Sequence, residues 1–356
     1  MRQSRLHVEW SGTPARRFST GVSLHSHTLH SRETLSFLGK HKQIGGRDGV
    51  WLDLSRAWWT PPLGPYEAWL IERNHIEQRF GLAPLVSLTD HDDIEAPLKL
   101  RVLGECRQVP VSVEWTVPYG PTFFHLGVHN IRARTARSIF ADMQSFTAAS
   151  MLETLAADPG TLIVFNHPAW DEQGIGQAEH LMLATQFLRA HGEFIHAVEL
   201  NGFRPWKENR MAWQMAQAMG KPIVAGGDRH ALEPSTFLDL TNAGSFPEFV
   251  EQVRSGRSDV LVTSQYREPR RLRILQSVQE VLQECETHAY GWRLWRDRVF
   301  YECDDSVVRP LMSLLPAGPE ITLRSLIGAV LAIRGQVFSK PLRTLRSILP
   351  QHELAL

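Results

Sequence analysis

The sequence predicts an α/β fold whose parallel strands form a barrel or a doubly wound sheet, followed by a C-terminal helical extension. Three observations predict it. Short apolar or β-branched runs alternate with helix-like stretches, the pattern of parallel strand pairing. Metal-ligand side-chain types end one strand after another, and beyond Ser264 the alternation stops.

In chain order the expected strands are Gly21–Leu24, Pro84–Leu88, Val109–Val113, Phe123–Val128, Thr161–Phe165, Ala197–Leu200, Pro222–Ala225 and Asp259–Thr263. Between them, "PYEAWLIERNHIEQRF", "TAASMLETLAADPG", "EHLMLATQFLRAHG" and "NRMAWQMAQAMG" carry apolar residues at i, i+3, i+4 and i+7. The last three end in Gly just beyond the periodic segment, as helices commonly do. Arg32–Leu63 is rich in Gly, Trp and Pro and reads as a long loop or insertion, by its length alone a functional candidate. Residues 1–264 are expected to form the main unit, with 32–63 inserted, and 265–356 the helical extension.

Composition narrows the function. At 43% hydrophobic and 21% charged residues the chain is globular, and Lys plus Arg equals Asp plus Glu at 38 each. A chain without net charge offers no broad positive field for a long nucleic acid, so a small or local substrate is expected. The N-terminus "MRQSRLHVEW" lacks a signal-peptide apolar region, and the longest apolar run, Leu326–Ile333, falls far short of the roughly 20 residues of a membrane span. A cytoplasmic protein without a transmembrane span follows. Cys106, Cys285 and Cys303 are widely spaced and form no CxxC pair, so buried free thiols are expected rather than disulfides or a thiolate metal site.

The strand ends carry the chemistry. In order they read His25-Ser26-His27, Thr89-Asp90-His91-Asp92, Glu114, then His125 within a strand, Asn166-His167-Pro168 and Gly226-Gly227-Asp228-Arg229-His230. An HxH alone means little in a chain with 16 histidines. Parallel strands, however, open their C-terminal ends onto one face, so residues two hundred positions apart can converge. Within a strand i and i+2 point the same way, which lets His25 with His27, and Asp228 with His230, present two ligands each. Imidazole with carboxylate and no thiolate suits Zn, Mn or Fe. A central Glu can bridge two ions, which about 3.5 to 4 Å apart clamp the attacking and leaving oxygens of a phosphoryl displacement with a bridging hydroxide as nucleophile.

The order HxH, TDH, Glu, "HLG", "NHP", "GGDRH" over residues 20–265 resembles the PHP (polymerase and histidinol phosphatase) superfamily, and most closely its stand-alone metal-dependent phosphoesterase branch. The resemblance implies a distorted (β/α)7 TIM-like barrel with two or three divalent ions. By that likeness His25, His27, Glu114 and Asp228 hold the first ion, and Glu114 bridges to a second completed by His125 and His167. His91 and His230 belong to a third, and Asp90 is an orienting group or an acid/base. The third ion's remaining ligand normally follows HxH; here the place reads Ser31-Arg32-Glu33, leaving Glu33 or His30 as substitutes. Only the match to "HLG" favours His125 over His129. The long stretch between HxH and TDH and the C-terminal extension have no counterpart in the minimal family domain.

The expected activity is hydrolysis of a small phosphomonoester or nucleotide by a metal-dependent phosphoesterase, with His230, Asp90 or a bound water protonating the leaving oxygen. Arg204 is the best-placed phosphate ligand, with Arg229 and Arg132 or Arg134 as rivals, since arginine grips phosphate oxygens in bidentate fashion. Glu199 and Asn201 alternate at a strand end and can support the ligands or the substrate. Trp51, Trp58, Trp59 and Tyr66 either stack a nucleobase or form a satellite core. The segment Leu323–Pro350 is basic, a helix able to contact a membrane surface, a partner or the barrel. Three rival functions share these features: a 3'-5' exonuclease-like phosphodiesterase, an amidohydrolase, and a catalytically silent interaction module.

Overall fold

Two five-stranded sheets organise the chain in the computed structural model, which describes residues 4–9, 17–35, 41–44, 50–143, 145 and 147–314. The strands are β1 (Leu6–Val8), β2 (Thr20–Ser23), β3 (Glu33–Thr34), β4 (His41–Ile44), β5 (Val50–Asp53), β6 (Ala57–Trp59), β7 (Ala83–Val86), β8 (Val111–Tyr119), β9 (Thr122–Ile131), β10 (Leu162–Phe165), β11 (Ala197–Asn201), β12 (Ile223–Gly226), β13 (Phe237–Thr241), β14 (Asp259–Val262), β15 (Val299–Glu302) and β16 (Val308–Pro310). One sheet has the order β1-β14-β13-β2-β7 and the other β12-β11-β10-β9-β8. The helices are α1 (Pro65–Asn74), α2 (Glu95–Leu100), α3 (Ala136–Met143), α4 (Ala148–Ala156), α5 (Gln177–His191), α6 (Trp206–Ala218), α7 (Phe246–Arg254) and α8 (Arg270–Leu282).

The expected α/β class stands, but no closed barrel of laddered strands forms among the described residues. The sheets meet instead through single parallel bridges, Ser26 with Arg229 and His91 with Glu114, just past the ends of β2, β12 and β7. A side chain makes a further link. Asp239 of β13 accepts the Ala225 N–H of edge strand β12 at 3.0 Å, replacing a backbone partner.

All eight expected strands form, seven of them to within a few residues and β8 running six residues further, to Tyr119, because apolar runs such as Leu162–Phe165 are buried at every position. Parallel pairing holds for β2 with β7 and for β10 with β11 and β12, but β8 and β9 form an antiparallel hairpin and β9 also runs against β10. Helix α1 starts at Pro65, whose fixed φ suits a first helical position, and continues as a π-helical stretch to Phe80, closed by Gly81 at φ 66°. α5 and α6 cover the second sheet, with Phe187 and Met215 in one core with Phe124 and Phe165.

Three expectations are corrected. The insertion 32–63 is not simply a loop: β4 pairs with β5, and β3 pairs with β6. Strands do not stop at Ser264, since β15 pairs with both β6 and β16. The extension expected to be helical over 265–356 carries its first helix, α8, only as far as Leu282, where Gln283 turns to extended backbone. Segment Leu323–Pro350 lies outside the described residues. Among those described, no helix is long and apolar enough to cross a membrane. The three thiols are unpaired; Cys106 is buried, and Cys285 and Cys303 are only half-buried.

Candidate metal centre

The register of the strands sets what meets at the site. β2 and β7 run parallel with Ser23 opposite Val86, so His25 and His27 emerge beside Asp90 and His91. β11 and β12 run parallel with Asn201 opposite Gly226, which brings Glu199 alongside the segment leading to Asp228. The β8–β9 hairpin sets Thr116 opposite His125 and Glu114 opposite Gly127. His125 thus arrives from the start of an antiparallel strand, not from a strand end.

These side chains fall into overlapping groups able to hold a metal ion: His25, His27 and Asp228; His91, Glu114 and His125; His27, Glu33, His91 and His230; and His25, His167 and Glu199. All nine residues expected from sequence as ligands are among them. Glu114 is the hub. Its Oε2 lies 2.9 Å from His25 Nε2, 3.4 Å from His27 Nε2 and 3.3 Å from His91 Nδ1, and its Oε1 lies 3.0 Å from His167 Nε2 and 3.5 Å from His125 Nδ1. Between Glu33 and His30 the structure distinguishes clearly. Glu33 Oε2 is 3.0 Å from His230 Nε2 and 3.6 Å from His91 Nε2, whereas His30 turns away to Lys99 Nζ. His129 is bonded to Ser87 and belongs to none of the groups.

The arrangement fits divalent cations. His25 Nε2 and His27 Nε2 face each other at 3.1 Å, the rings of His27 and His230 stack at 4.2 Å, and His125 Nδ1 is buried without a hydrogen-bond partner. Buried lone pairs aimed at a common point are costly unless something positive lies between them. Protonation states differ across the cluster. Burial and the neighbouring His230 push His27 down to about 3, leaving a neutral ring able to donate its lone pair. Burial opposes the charge on Glu114, yet the imidazoles of His25, His91 and His125 hold it well below the usual carboxylate range. For His25 burial is outweighed by the carboxylates of Glu114 and Glu199, which hold it well above its ordinary value. His167 and Asp228 both sit at positive φ, 26° and 52°, where side chains other than Gly are strained, and such strain clusters at functional sites.

A second layer fixes the ligands. Glu199 takes His25 Nδ1 at 2.6 Å and the backbone N–H of His167 at 2.8 Å. A Cβ on Gly226 would meet its Oε1 at 1.5 Å, so only glycine leaves room for that carboxylate. The cavity beside the ligands is lined by Glu33, His91, His125, His167, Asp228 and His230; Asn201 does not line it but donates to Glu199 at 3.0 Å and to Asp228 at 3.2 Å. Ser31 Oγ lies 3.1 Å from His27 Nδ1 and donates to Glu33 at 2.6 Å. Glu72 reaches from α1 to receive Ser26 Oγ, Arg229 Nε and Ser235 N–H, gripping the residue inside each ligand pair. Sequence reasoning missed Ser31 and Glu72. Glu72 occupies a helix position that only its full burial singles out.

The other expected site residues scatter. Asp90 is sealed beneath Thr28, accepting its N–H at 2.5 Å and its hydroxyl at 2.7 Å, and it does not line the cavity. Arg229 also lies outside that cavity, bonded to Glu72 at 2.8 Å and to the Ala231 carbonyl. Arg134 is exposed, and Arg132 pairs with Asp158. Both follow β9, whose antiparallel run carries the chain from His125 to Ile131, roughly 20 Å away from the site at strand spacing. Arg204 alone of these arginines reaches the cavity. Its guanidinium lies 3.4 Å over the Trp170 ring and donates to Asp228 at 3.1 Å, and its Nε is buried without a partner.

The sequence matches no protein-family model and no curated protein. Among solved structures the chain is similar to PsfC from Pseudomonas syringae (13% identity, TM-score 0.41, covering 73% of this chain and 97% of that one). It is also similar to an amidohydrolase from Chromobacterium violaceum with bound sulfate and no metal (14%, TM-score 0.35, 59% and 87%). A third is a candidate metal-dependent phosphoesterase from Bifidobacterium adolescentis (12%, TM-score 0.35, 55% and 92%). Similarity at this level leaves the reading of the site to its own geometry.

Proposed function

We propose that the chain is a metal-dependent phosphoesterase of the PHP type, hydrolysing a small phosphomonoester or nucleotide, with its two sheets as the halves of a distorted (β/α)7 barrel. One observation carries the reading: His25, His27, Glu33, His91, Glu114, His125, His167, Asp228 and His230 gather from distant segments into ligand sets that overlap at His25, His27 and His91, with Glu114 within 3.5 Å of five of the histidines. Two or three ions of Mn, Zn or Fe suit that donor set. When bound, such ions make water a nucleophile at neutral pH and offset charge on the phosphoryl oxygens.

The chain's own groups supply the rest. Arg204 is positioned to take a phosphoryl oxygen beside the ligand cluster, its plane fixed by Trp170. Asp90, held by Thr28, positions the segment that follows His27. His230 lines the cavity and Asp90 does not, but with its Nε2 given to an ion His230 carries no proton there, so the leaving oxygen takes its proton from water. No lysine among the described residues lines the cavity, so the carboxylated lysine of an amidohydrolase finds no support. The test is turnover of p-nitrophenyl phosphate by the metal-supplemented full chain, abolished by chelation; metal-loaded protein inert on phosphate esters would refute the activity.

A further inference from the structure

The segments outside the strand–helix rhythm meet directly over the ligand cluster. β3 and β6 of the insertion pair with each other, and β15 of the extension adds to β6. Their common core holds Leu35, Leu52 and Tyr301, with Trp59 and Trp295 packed against it. Helix α8 forms a further side. Ile274, Ser277, Val278, Val281 and Leu282, spaced as one helical face, all line the cavity. The adjacent flank is pinned: Arg273 donates to the Gly202 carbonyl at 2.6 Å, and Glu280 accepts the N–H groups of Leu232 and Glu233. Arg298, fully buried, donates to the Val281 carbonyl and ties the end of α8 to the accessory sheet.

The cavity measures about 1270 Å³ and is open to solvent on one side. That exceeds the roughly 300–1,000 Å³ of ordinary small-molecule sites, so a bare phosphate with a short polar alcohol fills only a fraction of it. Its polarity is divided. Beside the ligand cluster and Arg204 the wall carries the charged Arg32, Asp92, Asp93 and Glu172, but the larger part of its surface is aliphatic and aromatic, with Trp59 6.2 Å from the His230 ring.

Resting on the phosphoesterase reading, we infer that the substrate is a phosphomonoester of a bulky apolar alcohol, the phosphate at the ligand cluster and the apolar group against α8, Trp59 and Trp295. The insertion and the extension together form the specificity wall. Burial of each methylene then favours binding by up to about fourfold.

The test uses the full chain supplemented with Mn and compares kcat/KM on methyl, butyl and octyl phosphate, 2-naphthyl phosphate and glycerol phosphate. Binding of methyl- and octylphosphonate is followed separately by tryptophan fluorescence. The expected result is a kcat/KM at least about tenfold higher for octyl than for butyl phosphate, with glycerol phosphate lowest. The naphthyl arm tells an aromatic from an aliphatic preference. In Val278→Asn, at a position 39% exposed where a polar side chain stays solvated, the octyl-to-methyl ratio should fall several-fold. Turnover that is flat along the series, with equal phosphonate affinities, overturns the inference and leaves the phosphoesterase standing. No turnover of any ester, but tighter binding of octyl- than methylphosphonate, supports the apolar cavity and overturns the phosphoesterase. Neither turnover nor a preference overturns both.

Discussion

Glu72 and Arg229 form a buried ion pair, Oε1 to Nε at 2.8 Å, directly behind the metal-ligand candidates. Arg229 stands between Asp228 and His230, and Glu72 also receives Ser26, which stands between His25 and His27. Ser26 and Arg229 stand opposite each other in a single parallel bridge between the two segments, and both turn to Glu72 rather than to the ligand cluster. One carboxylate therefore sets the orientation of four ligands.

Removing that carboxylate leaves a buried guanidinium without its partner. Glu72→Ala is expected to cost about 3–5 kcal/mol and to weaken metal binding even though Glu72 is not a ligand. Thermal melts in chelator and metal titrations of the variant measure the two effects. Unchanged melting and unchanged affinity would disprove the clamp.

Arg204→Lys keeps the charge and loses the planar fork and the Trp170 stack. A fall in kcat/KM of about tenfold or more on p-nitrophenyl phosphate is expected, with metal content unchanged. Wild-type kinetics would remove Arg204 from the phosphate site.

Stripping the ions should also destabilise the fold. A ligand present at about 100 times its Kd stabilises by about 2.7 kcal/mol, so chelation should lower Tm and readdition of Mn or Zn restore it. A Tm indifferent to chelator would mean that the histidine–carboxylate groups hold nothing.

Asp239 gives a pH signature away from the ligands. Burial pushes its carboxyl well above the usual range, and Oδ2 has no hydrogen-bond partner. With its pKa raised on folding, the folded state binds the extra proton. Stability is therefore greatest below the unfolded value near about 4 and is lost as pH rises toward the folded pKa. Asp239→Asn keeps an acceptor for the Ala225 N–H, so its Tm relative to wild type should be higher at pH 8 than at pH 5, by about 2 °C or more. An equal difference at both values would contradict the assignment.

Much of this was legible in the sequence. Buried strands such as Leu162–Phe165 announce themselves as apolar runs, and the ligand candidates were legible because strand ends are fixed by those runs. Strand direction was not. Nothing in the periodicity of Thr122–Ile131 says that it runs against its neighbours, and that reversal moved Arg132 and Arg134 to the far end of the sheet. The sequence singles out Asn201, but whether it faces substrate or Glu199 depends on a contact across 2 positions in one strand and on the neighbouring β12. Glu72 and Ser31 were invisible for the same reason: their partners are distant in sequence or depend on a tight turn. The strands of the insertion were hidden among Gly, Pro and Trp, and β6 pairs with β15 from the other end of the chain.

The most direct measurement is the metal content of the purified full-length protein beside Glu114→Ala. A bridged centre predicts about two or more equivalents of divalent metal in the wild type and a loss of about one or more when the shared carboxylate is removed. A metal-free wild type, still metal-free after incubation with Mn, Zn or Fe, would contradict it.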